Sequence, residues 1–200
     1  MDYISNVDSA CYESDLKYFR WNTVLDFQGK DETLLHTIAD RKEHQPEAIS
    51  YYKDTSKTET TDSCSNFGSL QAINVVKRNQ SGVILELELD FQNGAVSVQS
   101  EYNMRAILGC GITNINLLDG SSVEMSILPS AYISIQAKGD GTYAVLGGGY
   151  GHGIGMSQNG AQKLCGQGFD YKRILNYFYQ DTELTELYQP QNTTKEEGGA

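Results

Sequence analysis

One imidazole, His152, stands in a stretch from Gly147 to Gly155 in which six of nine residues are glycine, and Ser157 and Gln158 follow it closely. An imidazole can donate, accept or carry a proton, a primary amide offers a donor and an acceptor together, and a hydroxyl does both jobs. Such groups on a backbone stripped of side chains suit a polar, uncharged ligand that approaches the main chain. A second set is made of carboxylates: Glu86, Glu88 and Asp90 repeat at period two. They share one face of a strand, which suggests either an acid–base cluster or a solvated sheet face. The alternation with Leu85, Leu87 and Leu89 favours the solvated face, because paired carboxylates that cleave glycosides stand across a cleft rather than along one strand.

These residues need elements to hold them. Glycine costs roughly 0.5–1 kcal/mol against alanine at an ordinary position, so the density from Gly147 to Gly155 requires either left-handed backbone angles or close approach to the main chain. The apolar run Tyr143-Ala144-Val145-Leu146 predicts a strand that empties into this loop. A helix is predicted after it, capped by Ser157, with Ala161, Leu164 and Cys165 as its buried stripe and Gly166 at its end. A glycine-rich hairpin corner with a surface histidine and a ligand-binding loop remain equal readings. A nucleotide phosphate loop is disfavoured, since no Gly-Lys-Ser/Thr follows and no G-x-G-x-x-G opens a long helix.

Here the residues carry a resemblance. The run Gly149-Tyr150-Gly151-His152-Gly153-Ile154-Gly155-Met156-Ser157-Gln158-Asn159-Gly160-Ala161 resembles the signature of the SpoIID/LytB family, sporulation stage II protein D and the amidase enhancers, and Gly168 to Tyr179 is similar to that family's next segment. Met104-Arg105-Ala106-Ile107-Leu108-Gly109 resembles its arginine-leucine-glycine helix. The resemblance implies peptidoglycan glycan strands as ligand, an extracytoplasmic, cell-wall location and, for active members, lytic transglycosylation; a non-catalytic wall-binding or amidase-enhancing module, working with other cell-wall hydrolases, is the alternative. It implies His152, Ser157, Gln158, Tyr150 and Arg105 as substrate-binding residues, with Arg105 equally readable as a surface helix residue. Tyr150 keeps an aromatic where the family favours tryptophan or another aromatic, and Asn159 replaces the tryptophan often found after the glutamine. The family's proposed acid–base glutamate lies in an Ala-Glu-Met-Pro helix, followed by an Ala-x-x-x-Arg-Thr helix; neither motif occurs here, and Glu124-Met125 lacks that setting. The catalytic residue is therefore unknown, and residues 1–188 are expected to form a partial family domain without that segment.

The remainder of the chain fits an α+β fold of antiparallel strands with a few short helices, the glycine-rich loop leading into a C-terminal helix pair. Ile4 to Phe27 reads as an extended segment and a strand, and Asp31 to Ile38 as a short helix with His36 on its outer face. Asp54 to Ser65 reads as a solvated loop. Ala72–Arg78, Val83–Asp90 and Ala95–Val98 form a meander turned at Asn79–Gly82 and Asn93-Gly94. Tyr102 to Leu108 is predicted helical, and Ser126–Pro129 through Tyr132–Ile135 a strand with its proline at an edge or bulge. Asp170 should cap a helix whose buried face is Tyr171, Ile174, Leu175 and Phe178. Thr182 to Tyr188 is predicted as a last strand, and 189–200 as a disordered tail.

The chain has 200 residues, 39% hydrophobic, with 13 Tyr and 6 Phe, which is ample for a core rich in β structure. A formal charge of −11 argues against nucleic acid, which needs a basic face, but leaves a neutral glycan free to bind. No export signal is visible at Met1-Asp2-Tyr3-Ile4, and no apolar run is long enough to span a membrane. Cys11, Cys64, Cys110 and Cys165 show no C-x-x-C pair, and His36, His44 and His152 no metal-ligand spacing, so buried free thiols are expected, with a disulfide as the other possibility, and no metal or cofactor.

Overall fold

The computed structural model describes Ile4 and residues 13–185. Two compact units divide the chain, Met1–Ile154 and Gly155–Ala200.

The first unit contains two antiparallel sheets of five strands, with strand orders β8-β7-β1-β10-β9 and β3-β2-β6-β5-β4. The strands are β1 (Arg20–Asp26), β2 (Ile49–Tyr52), β3 (Thr60–Thr61), β4 (Leu70–Arg78), β5 (Ile84–Phe91), β6 (Gly94–Gln99), β7 (Ile115–Leu117), β8 (Ser122–Val123), β9 (Ile133–Ala137) and β10 (Thr142–Gly148). Helices α1 (Asp31–His44) and α2 (Glu101–Gly109) complete it. One apolar core joins both sheets to both helices: Trp21 and Leu25 of β1, Leu34 and Ile38 of α1, Leu87 and Leu89 of β5, Val96 and Val98 of β6, and Ile107 and Leu108 of α2 all lie in it. The second unit contains the helix pair α3 (Gln158–Gly166) and α4 (Tyr171–Phe178). The α+β class and the helix pair after the glycine-rich loop are thus as the sequence predicts.

Several local expectations are corrected. Helix α1 runs past Ile38 to His44, because Ala39, Arg41, Lys42 and Glu43 are good helix formers and no Pro or Gly interrupts the helix before Pro46. Ser126 to Pro129 is irregular; the strand begins only at Ile133. Thr182 to Thr185 is not a strand, while 186–188 and the predicted tail lie outside the described residues. In α3 Leu164 is buried, but Cys165 is exposed, and in α4 Ile174 is buried whereas Tyr171 is 66% exposed. Each is a helix of two to three turns; α3 buries only Gly160 and Leu164 and α4 only Ile174, so Cys165 and Tyr171 at the margins of the predicted stripes face water. Cys64, Cys110 and Cys165 are free thiols, and Cys11 falls outside the described residues. Both predicted caps form: Ser157 Oγ accepts from Gly160 N at 3.1 Å, and an Asp170 carboxylate oxygen accepts from Arg173 N at 2.9 Å.

The hairpin at Asn93-Gly94 is correctly placed, for a different reason than the sequence suggests. Phe91 pairs with Gly94, so the turn residues are Gln92 and Asn93, and neither has a positive φ. Gly94 is required instead because a Cβ there would lie 2.5 Å from the Phe67 ring.

The carboxylate face of β5 is the clearest departure. Glu88 is buried, not solvated, because the loop after β2 lays Lys57 against it as an ion pair. Asp90 is half-buried; Asn74 donates to its Oδ2 at 2.8 Å, and its Oδ1 is buried without a partner. Burial, then the neighbouring Glu88 carboxylate, raises the Asp90 pKa above the usual carboxylate range. The folded state therefore favours the neutral form. Stability from this group is complete below the ordinary carboxylate pKa and is lost as pH rises through the raised folded value. Asp90→Asn stays neutral and places an amide donor beside Glu88, so it is expected to raise the urea midpoint near pH 7, with the gain closing as pH falls into the ordinary carboxylate range. Urea midpoints of both proteins across that range check this; equal midpoints at neutral pH would contradict it.

Candidate functional site

Strand β10 delivers the glycine-rich segment, and its register with β1 sets Trp21 opposite Gly147 and Arg20 opposite Gly148. Trp21 is 2% exposed, and its indole occupies the space where a side chain at Gly147 would go: a Cβ would meet Trp21 Cζ2 at 2.1 Å. At Gly148 the ring of Tyr132 stands in the same relation, at 2.9 Å. The next glycines follow a different rule. Gly149 and Gly151 have φ of +76° and +119°, and nothing among the described residues lies within 4 Å of the position a Cβ would take. Both reasons for glycine therefore operate, one after the other: close packing from within the fold first, then left-handed backbone beside open space.

The open part is strapped on two sides. Gly149 N donates to Tyr18 O at 2.8 Å, and the indole N–H of Trp21 donates to Gly149 O at 3.1 Å. On the other side, Gly148 N donates to Tyr132 O at 3.0 Å, Ser130 Oγ donates to Gly148 O at 2.7 Å, and Gly151 N donates to Pro129 O at 2.8 Å. Tyr150 and His152 project from this strap. Tyr150 is 65% exposed, with its ring centroid 4.9 Å from that of Tyr18 at an interplanar angle of 34°. His152 is exposed, and its Nδ1 accepts from Ile154 N at 2.8 Å. That bond requires an unprotonated Nδ1, so in the neutral ring the proton sits on Nε2, which faces away from the bond as a donor.

Arg105 sits differently from Tyr150 and His152. It is buried on α2, with Nε donating to Leu128 O at 2.8 Å and Nη1 donating to Glu101 Oε2 at 2.9 Å. Leu128 N in turn donates to Arg105 O at 3.2 Å. The carboxylate that Arg105 contacts is thus its own helix neighbour, and its grip falls on the residue before Pro129, which holds Gly151.

The family profile that matches this sequence covers residues 41–155, more than half the chain, and takes in β2 to β10, α2 and the strap but not β1. The chain belongs to the family described as a domain of unknown function, DUF8618. Among curated proteins, this DUF8618 chain is 34% identical over 89 residues to the amidase enhancer of Bacillus subtilis (strain 168), covering 44% of the chain and 12% of that protein. It is 36% identical over 76 residues to stage II sporulation protein D of the same organism, covering 38% of the chain and 22% of that protein. The SpoIID/LytB resemblance is borne out by these two relatives, and the chain spans less than a quarter of either one's length.

The unit boundary of the DUF8618 chain falls within the signature itself. Tyr150, His152 and Arg105 belong to the first unit, and Ser157 and Gln158 to the second. Ser157 caps α3, and Gln158 is exposed at its first residue. Met156 N donates to Tyr179 Oη at 3.2 Å, which ties the start of the second unit to the end of α4. Sequence reasoning missed Tyr18, Trp21, Ser130 and Tyr132, whose contacts with the glycines are long-range pairings that no local pattern announces. Among the described residues no group of three or more His, Cys, Asp or Glu could hold a metal ion, and no helix is long and apolar enough to cross a membrane.

Proposed function

We propose that this chain binds peptidoglycan glycan strands through the strap at Gly149–Gly151, as part of a SpoIID-like protein of sporulation or cell-wall remodelling that works outside the cytoplasm. The observation that carries the reading is the pairing of open, left-handed glycine backbone with an exposed Tyr150 ring and a His152 Nε2–H turned outward. A sugar ring presents an apolar face that stacks on an aromatic and hydroxyl or acetamido groups that accept from an imidazole N–H. On the second unit, the exposed Gln158 amide and the Ser157 hydroxyl offer the same chemistry. Arg105 enters as a positioning residue, acting through Leu128.

The reaction we assign to the whole protein is lytic transglycosylation. A carboxylic acid would protonate the glycosidic oxygen as the C1–O bond breaks, and the resulting carboxylate would take the proton of the sugar's own 6-hydroxyl as that oxygen closes on C1. No residue of this chain is given that acid–base role. The kinship with an amidase enhancer favours a second reading, in which the chain only holds the glycan for another hydrolase.

Co-sedimentation with purified peptidoglycan, followed by mass spectrometry of released muropeptides, tests both. Retention on the wall is expected, and 1,6-anhydro products would mark the catalytic reading. His152→Ala should weaken retention roughly fivefold, the worth of one hydrogen bond, with an unchanged melting temperature, since the ring is exposed and among the described residues it is hydrogen-bonded only to Ile154 N. Retention that ignores substitution at both His152 and Tyr150 would overturn the binding role of the strap.

A further inference from the structure

A second concavity lies away from the strap, between α1 and the chain after β3, with a volume of about 620 Å³. That is within the range of sites that take a small molecule or a side chain. Its floor is apolar: Leu35, Tyr51 and Cys64, exposed by 9%, 4% and 3%, with Ala39 beside them. Its rim carries Glu32 and Glu43 from α1 and Asp62 from the loop. These three carboxylates are exposed, and among the described residues no Lys or Arg forms an ion pair with them. The rim also includes Lys42, whose Nζ donates to Ile49 O at 2.6 Å and stands 4.8 Å from the Tyr51 ring centroid; against three carboxylates this one cation leaves the rim net negative.

An apolar floor under an unneutralised acidic rim matches one kind of occupant, an aliphatic stem that ends in a cation. Lysine and arginine side chains lay their methylenes on apolar surface and keep the charged head outside it, which is the distribution this concavity presents in complement. One more feature points to a polypeptide rather than a free amine: β3, which leads into Asp62, is the outer strand of its sheet. An outer strand leaves backbone groups that an extended segment can pair with. The chain's formal charge of −11 would steer such a partner inward.

We propose that this concavity docks a basic segment of a partner polypeptide, with a Lys or Arg stem on the Leu35–Tyr51–Cys64 floor and its cation among Glu32, Glu43 and Asp62. The proposal is independent of glycan binding at the strap.

His36 lines the concavity and is exposed, and the chain has three histidines, so imidazole proton signals report on it. The full chain would be titrated with acetyl-Lys-Leu-Lys-Leu-Lys-amide and with the same peptide carrying glutamate in place of lysine. The lysine peptide is expected to move the His36 signals and leave those of His152 in place, and the glutamate peptide to move neither. Combined Glu32→Gln, Glu43→Gln and Asp62→Asn substitution, all at exposed positions, should weaken binding about tenfold, and a rise from 50 to 300 mM salt should weaken the wild type several-fold. A glutamate peptide that moves His36 equally, undiminished binding by the triple variant, a response at His152 instead, or no response at millimolar peptide would each overturn the proposal.

Discussion

Gly147→Ala is expected to destabilise the protein by about 3 kcal/mol, at the upper end of what overpacking one methyl group costs in a core. The added carbon would sit 2.1 Å from Trp21 Cζ2 and nearly as close to two further indole atoms, and neither side can yield easily. The indole is 2% exposed, and its N–H is committed to Gly149 O. Gly147 itself is fixed in register between β1 and β9. For a chain of this size the loss corresponds to a fall in melting temperature of roughly 6–12 °C. Trp21 is the only tryptophan, so its emission reports the displacement directly and should shift to the red. Gly149→Ala is the control: its Cβ meets open space, and only the φ of +76° is penalised, so about 1–2 kcal/mol and unchanged emission are expected. Trp21→Leu, which makes room, should render the Gly147→Ala cost much smaller in the double variant than in the single. A Gly147→Ala protein with native melting and emission would contradict the packing argument.

The comparison shows what a sequence can say about this site. The glycine density announced special backbone, and the motif around His152 announced the likeness to the amidase enhancer and stage II sporulation protein D, because both are local in the chain. So were the caps at Ser157 and Asp170, where a short polar side chain precedes a helical stripe by a fixed offset. What could not be read is what the glycines make room for. Trp21 and Gly149 are 128 residues apart, and only the β1–β10 register brings them together. The same limit explains Glu88. Strict alternation assigned its face to water, yet Lys57, in a stretch without periodicity, covers it. Arg105 shows the limit once more: its spacing from Glu101 is helical and legible, but its bond to Leu128 O spans 23 residues, and that long-range contact is what places the guanidinium in the interior where the sequence left a site residue and a surface residue equally open.

That bond makes Arg105 the remote end of the strap, and Arg105→Met is expected to lose about 3 kcal/mol of stability. Truncating one member of a buried pair leaves the other without a counter-charge, which costs about 3–5 kcal/mol in a full interior. Here Glu101 keeps 19% side-chain exposure, so the lower end applies. Adding Glu101→Gln removes the stranded charge, and the double variant should recover more than half of the loss. It should not recover the strap. Leu128 is held by Arg105 through its carbonyl and its N–H alike, Pro129 O then receives Gly151 N, and Ser130 Oγ reaches Gly148 O. With the guanidinium gone, Leu128 O loses its donor in both variants, and Gly151 is held by a looser partner. Peptidoglycan retention, measured well below each melting temperature, should therefore stay weakened in the double variant although its stability has returned. If Arg105 served the helix alone, retention would recover along with the melting temperature, and the route from α2 to the glycine backbone would have no part in binding.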